Sequence, residues 1–509
     1  SVADFFEGIS TRSLVTKILA QMTTDGLPLL SLSQQEKNTN TSYYPLSFAQ
    51  QGLWFIHQLS PDTSTYNIPV VINLKGDLNQ AILQECLNEI VRRHEVLRTS
   101  FTLINGQPVQ VINQAVPLTL MFEDLRSLPE SERSSVAVNL TTELAQQPFD
   151  LSSKSLIRAK FAQINDKDYR LIIVLHHIIA DGWSISILLK EIVALYDAYS
   201  KNELPQLPEL PIQYRDFLNW QRKSINSERT QPLLTYWKQK LQGELTVLNL
   251  PTDHPRSPVL TFKGAIAKLV LPQTLRKELK DLSRQQGVTL FMTLLTAFKI
   301  LLYRYTGQTD IIVGSPIANR NRAEIELLIG FFINVLVLRT ELSDRLNFQE
   351  LLARVKSTAL EAYVHQDLPF ERLVEELQPN RDLSYNPLFQ VMFVFQNVPI
   401  PNLDLPDVSV SYEEGYNGTS KFDLTLFMED SQEGLVATCE YNTDLFNANT
   451  INRMLGHFQT VLSGIVNDPQ QCISELQLLT RFEREQLLVE WNDTEKDYPQ
   501  DKCIHQLFE

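Results

Sequence analysis

The stretch Leu171-Ile172-Ile173-Val174-Leu175-His176-His177-Ile178-Ile179-Ala180-Asp181-Gly182-Trp183-Ser184 constrains the fold more than any other part of the chain. Five consecutive apolar residues read as a strand buried on both faces, and two adjacent histidines close it. Successive side chains on a strand point to opposite faces, so His176 and His177 cannot share one role. One faces packed interior and the other a cavity. Asp181 and Gly182 then turn the chain. Ile185, Leu188, Leu189, Ile192, Val193, Leu195 and Tyr196 follow with the i, i+3, i+4, i+7 rhythm of an amphipathic helix. A helix N-terminus carries roughly half a positive charge and free N–H groups, which suits developing negative charge. Two histidines and a carboxylate are also zinc-ligand types. Adjacent strand histidines diverge, however, and no second ligand cluster stands in the sequence, so no metal is expected.

A chain of 509 residues exceeds the ~250–300 at which single cores stop growing, so two or more cores are expected. A net charge of −15 argues against nucleic-acid and anionic-membrane partners. Cys86, Cys439, Cys472 and Cys503 lie far apart, which fits neither a disulfide framework nor a zinc site and fits a reducing cytoplasm. No apolar run reaches the ~18 residues of a membrane span; Leu290 to Tyr305 comes nearest, broken by Lys299 and Arg304. No signal peptide is evident. The chain begins at Ser1 and stops in mid-pattern, as a piece of a longer polypeptide would.

Periodicity predicts helices and strands mixed without strict alternation, an α/β (α+β layered) fold in two similar-sized lobes. A helical pair is expected over 3–22 and a polar linker over 23–43. The Pro-rich break Leu204-Pro205-Gln206-Leu207-Pro208-Glu209-Leu210-Pro211 places the lobe boundary, giving an N-lobe of 44–212 and a C-lobe of 213–475.

Seven ordered motifs resemble those of the condensation domains of non-ribosomal peptide synthetases. They are LSFAQQGLWF (46–55), RHEVLRTSF (93–101), HHIIADGWS (176–184), YRDFLNWQ (214–221), IGFFINVLVLR (329–339), HQDLPFERLVEEL (365–377) and RDLSYNPLFQ (381–390). The resemblance spans about 43–475 and implies a V-shaped pseudodimer of two chloramphenicol-acetyltransferase-like lobes with a tunnel between them. The DGWS and SFAQQGLWF forms are similar to the subtype that takes an L-configured donor. Gly52 and Val335 stand where an arginine and a threonine are common. Residues 1–22 resemble the end of a carrier protein, and 476–509 resemble a linker into an adenylation domain.

The reaction so implied is attack of an acceptor aminoacyl amine on a donor thioester. The chain itself binds no cofactor. The 4'-phosphopantetheine arms arrive on an upstream donor and a downstream acceptor carrier protein. Rival readings are an acyltransferase using coenzyme A thioesters and an inactive module that recruits partners. Within the resemblance, His177 is the second motif histidine and acts as a base or as a positioner of the amine. His176 faces the interior. Asp181 holds the turn by salt bridge or N-cap, with Arg93 or Arg98 as partner. Gly182 offers close backbone approach and an N–H for the oxyanion. Asn334 lines the tunnel or serves a plain turn or sheet-edge role, and His365, Arg372 and Asp382 make lobe or fold contacts.

Overall fold

The computed structural model of the protein describes residues 43–508, apart from 226–227, 229, 380–381, 383, 397–402, 404, 406–407, 432, 496 and 498–502. The helical pair expected over 3–22 and all of the expected linker except Tyr43 lie outside the described residues.

The strands are β1 (Tyr43–Pro45), β2 (Asn67–Gly76), β3 (Thr99–Ile104), β4 (Gln107–Ile112), β5 (Leu120–Asp124), β6 (Ile157–Asn165) and β7 (Asp168–His176). The later half adds β8 (Gly264–Leu271), β9 (Asp310–Ile317), β10 (Asn334–Glu341), β11 (Val391–Gln396), β12 (Val408–Glu414), β13 (Leu424–Asp430) and β14 (Leu435–Asn442). Two mixed sheets form, a five-stranded one in the order β12-β2-β7-β6-β5 and a six-stranded one in the order β10-β9-β11-β13-β14-β8. A small sheet, β1-β4-β3, flanks the first. The apolar strand read from the sequence is β7, central in its sheet and buried from Leu171 to His176.

Helices cover the sheets: α1 (Phe48–Leu59), α2 (Gln80–Arg93), α3 (Glu130–Gln146), α4 (Gly182–Ser200), α5 (Tyr214–Ile225) and α6 (Thr230–Lys240). They continue with α7 (Gln273–Gln285), α8 (Leu290–Thr306), α9 (Phe348–Val364), α10 (Phe370–Leu377), α11 (Ala448–Asn467) and α12 (Arg481–Leu488). The expected mixture of helices and strands is present, and each of the two large sheets has its own core.

The cores do not divide where the Pro-rich break does. Tyr214, Phe217 and Leu218 of α5 pack in the first core, as do Ile325, Leu328, Ile329 and Phe332 from far along the chain. β12 also crosses over to pair with β2, in register from Val408↔Gly76 to Glu414↔Val70. The second half therefore builds part of the first lobe.

Among the described residues no single helix is long and apolar enough to cross a membrane. The apolar run from Leu290 is the core helix α8. Its Lys299 is fully buried and donates to Leu338 O at 2.6 Å and Thr340 Oγ1 at 2.8 Å. Burial pushes that amine down to about 7.

Candidate active site

At the end of β7 the two histidines part as the pleat requires. His176 is buried, its ring edge-on to Phe149 at 6.1 Å and His57 at 6.4 Å. Its Nδ1 accepts the Ile178 N–H at 3.1 Å. Burial, with nearby positive charge adding to it, holds this imidazole well below its ordinary 6.5. His176 is a packing residue.

His177 faces the other way and is half-buried. Its ring meets Phe331 edge-on at 5.1 Å, and its Nδ1 is enclosed without a hydrogen-bond partner. Its main-chain N–H donates to Tyr66 O at 2.7 Å. Burial pushes the His177 imidazole down to about 3; the Lys421 charge adds to this, and main-chain groups at His177 and Ala180 oppose it. At neutral pH the ring is uncharged and offers a lone pair.

The turn after the histidines is held from α1. Ser47 and Gln50 form a capping box, with Gln50 N–H to Ser47 Oγ at 2.9 Å and Ser47 N–H to Gln50 Oε1 at 3.0 Å. That leaves the fully buried Gln50 amide free to donate Nε2–H to Ile178 O at 2.9 Å.

Asp181 caps α4 and is completely buried. Its Oδ1 accepts the Ser184 N–H at 2.9 Å and its Oδ2 the Phe332 N–H at 3.0 Å. Its counter-charge is Arg320, at 3.1 Å from Oδ1, with side chains 1% and 0% exposed. Arg320 also donates Nη1 to Ile325 O and Leu328 O and lies over the Phe332 ring at 4.1 Å. Burial lowers the guanidinium, and Asp181 offsets part of that.

Arg93 and Arg98, the expected partners of Asp181, do not meet it. Arg93 pairs with Glu191 at 2.9 Å, and Arg98 donates to Asn113 O at 2.6 Å. The reason is geometric: Glu191 sits ten residues beyond Asp181 on α4, about 15 Å along the helix axis. His94 joins the same Glu191 at 3.0 Å. Arg93 braces the middle of α4 and Arg98 the segment ahead of β3, and the corrected partner is Arg320.

Gly182 is exposed at the first residue of α4, and a Cβ there would meet nothing within 4 Å. Packing within the chain therefore does not demand glycine; it leaves open space beside the helix N-terminus. Gly330 differs, because its Cβ would fall 2.4 Å from Tyr214 Cδ2. That close approach lets Tyr214 OH donate to Phe331 O at 2.7 Å, fixing the residue that covers His177. Ser184 Oγ donates to Asp181 Oδ1 at 2.7 Å and to Gly330 O at 2.9 Å, and Trp183 Nε1 donates to Glu326 O at 3.1 Å.

Asn334 opens β10, the edge strand of its sheet, and spends its side chain on the fold. The side chain is buried and donates to Gln366 O and Leu368 O, each at 2.8 Å. Its Oδ1 accepts the Phe370 and Val335 N–H groups, each at 2.9 Å. No polar capacity is left for a ligand. His365 stacks on Tyr236 at 3.7 Å, Arg372 pairs with Glu375 and Glu376, and Asp382 accepts the Ser384 N–H, all fold contacts. A cavity of about 560 Å³ is bordered by Phe48, Leu234 and Arg372, and neither histidine lines it.

Gln50, Tyr214 and Arg320 were not singled out from the sequence. Ser47-x-x-Gln50 carries the capping-box spacing and marks Gln50. Nothing local marks Arg320, whose partner lies 139 positions away.

The condensation-domain family model matches residues 40–488. The chain is 50% and 48% identical to two linear gramicidin synthase polypeptides of Brevibacillus parabrevis. The alignments cover 92% and 91% of this chain but only 9% and 6% of those relatives. A solved four-domain nonribosomal peptide synthetase bound to AMP and glycine superposes with a TM-score of 0.79 at 25% identity, over 88% of this chain and 35% of that one. The chain thus belongs to the condensation-domain family, the amide-forming acyltransferase domains of peptide synthetases.

Proposed function

We propose that this chain joins a donor acyl or peptidyl thioester to the amine of an acceptor aminoacyl thioester, both held on phosphopantetheinyl carrier proteins. The amine nitrogen attacks the thioester carbon, the carbonyl electrons move to oxygen, and collapse expels the carrier thiolate. The amine proton ends on that sulfur. The donor is read as L-configured, with residues 1–22 as the end of an upstream carrier and 476–509 as the way into an adenylation domain.

The observation that carries this reading is His177: uncharged, half-buried, and beside the open N-terminus of α4. A group with a pKa of about 3 is a poor acceptor of a whole proton near pH 7. It still accepts a hydrogen bond from the attacking amine and orients its lone pair. His177 is therefore assigned to positioning the nucleophile rather than to general-base work. Free N–H groups in the first turn of α4, Gly182 among them, face the oxygen that gains charge. Asp181 keeps that turn in place through Arg320 and Ser184.

The test offers one aminoacyl acceptor carrier two donors, an acyl group on a carrier and the same acyl group on coenzyme A. Acceptor mass should rise by the acyl group with the carrier donor. Transfer only from coenzyme A would overturn the carrier reading.

A further inference from the structure

Lys421 reaches the ring of Tyr66 from the other lobe. It lies just ahead of β13, and its carbonyl accepts Asn386 Nδ2–H at 2.9 Å. The preceding residues are fixed: Ser420 N–H donates to Phe262 O at 2.9 Å, and Ser420 Oγ–H to Phe422 O at 2.7 Å. Asn417 donates across the lobes to Ser64 O, Thr65 O and Asn67 O at 3.1, 3.4 and 3.0 Å. That clamp seats the Lys421 ammonium 5.4 Å from the centre of the Tyr66 ring. Tyr66 is the residue whose carbonyl holds His177 at 2.7 Å.

Among the described residues the ammonium makes neither a hydrogen bond nor an ion pair. Glu440 and Glu414 act on it only through space and favour its charged form, against the burial that lowers it. Its charge in turn is felt by both histidines. A cation held against the Tyr66 ring, beside the segment that holds His177, and spent on no protein acceptor among the described residues, is available to stabilise charge that appears during the reaction.

We propose that Lys421 is a charge-stabilising catalytic residue of this site, its ammonium facing the oxygen of the tetrahedral centre formed when the amine attacks the donor thioester. This deepens the condensation reading and rests on it. As the amine–carbon bond forms, the carbonyl electron pair moves to oxygen, and Lys421 holds that anion until the carbon–sulfur bond breaks. The same charge repels a protonated amine, so the neutral nucleophile is favoured.

The experiment measures single-turnover condensation between loaded carriers by intact mass, for wild type, Lys421→Met and Lys421→Arg, with melting temperatures alongside. Lys421→Met keeps the length and the ring contact and loses the charge. It should slow the chemical step on the order of 10²-fold at unchanged carrier half-saturation, and Lys421→Arg should recover most of that rate. Wild-type-like turnover by Lys421→Met would overturn the proposal. Equal loss in both variants with a lowered melting temperature would overturn it too, making Lys421 a packing residue. A wild-type chain that never condenses removes the reaction reading and the proposal with it.

Discussion

At the scale of single residues, the site rests on one buried ion pair and one uncharged imidazole. Asp181 and Arg320 have lost nearly all contact with water, so removing either leaves a buried charge without compensation. Arg320→Met should cost about 3–5 kcal/mol in urea unfolding. The Asp181→Asn, Arg320→Met double variant should lose clearly less than the sum of the single losses, because the two residues form one network. Additive losses would contradict the pair. For His177, a folded pKa near 3 lies below the ordinary 6.5. Its neutral form therefore favours folding fully above pH 6.5, and that contribution is lost as pH falls towards 3. Condensation should accordingly follow deprotonation of the acceptor amine, with an inflection around 7.7–8.0, in wild type and in His177→Gln alike. An inflection near 6.5 that disappears in His177→Gln would contradict a neutral positioner. The sequence made the opposite facing of the two histidines legible because the strand period is local. It could not supply Arg320, since a salt bridge across 139 positions leaves no mark in either neighbourhood.

At the scale of elements, the contact between α1 and α10 carries its own titration. Glu371 stands in the first turn of α10, and a Cβ on Gly52 of α1 would meet its Cγ at 3.4 Å. Burial pushes the Glu371 carboxyl up to about 7; its own main chain opposes this and Glu375 adds to it. A raised carboxyl pKa means the folded state holds the proton more tightly. Its contribution to stability is present below about pH 4.5 and is lost as pH rises through 7. Glu371→Gln should therefore melt higher than wild type near pH 8, with the gap closing towards pH 4.5. Parallel pH dependences would rule this out. The same helix is anchored by Asn334, and Asn334→Ala would strand the Phe370 N–H and two carbonyls. A loss of about 1–3 kcal/mol is expected for each such group that stays dry, read by chemical denaturation. Helices with clean apolar periodicity, such as α8 and α9, are legible in the sequence. β8 was missed because Ile266 and Val270 on its outer face remain exposed, so no polar–apolar alternation marks it.

At the scale of the whole molecule, two cores were foreseeable from length, but their interleaving was not. β12 pairs with β2, and Asn417 ties the returning segment to Ser64, Thr65 and Asn67. Sequence period reports which face of a strand is buried and not which sheet it joins. Asn417→Ala should raise amide exchange in residues 64–67 together with 417–421, while the buried β7 keeps its protection. Faster exchange in one segment alone would contradict the clamp. These ties seat the Lys421 ammonium against Tyr66, whose carbonyl holds the His177 main chain, and amide-bond formation is proposed for that junction. The decisive experiment follows the intact mass of an aminoacyl acceptor carrier after mixing with a loaded donor carrier and either the native chain or His177→Ala. A gain equal to the donor acyl group is expected, cut on the order of 10²-fold in rate by the loss of positioning. An equal rate in both, or no gain with any pair of carriers that still binds, would refute that assignment.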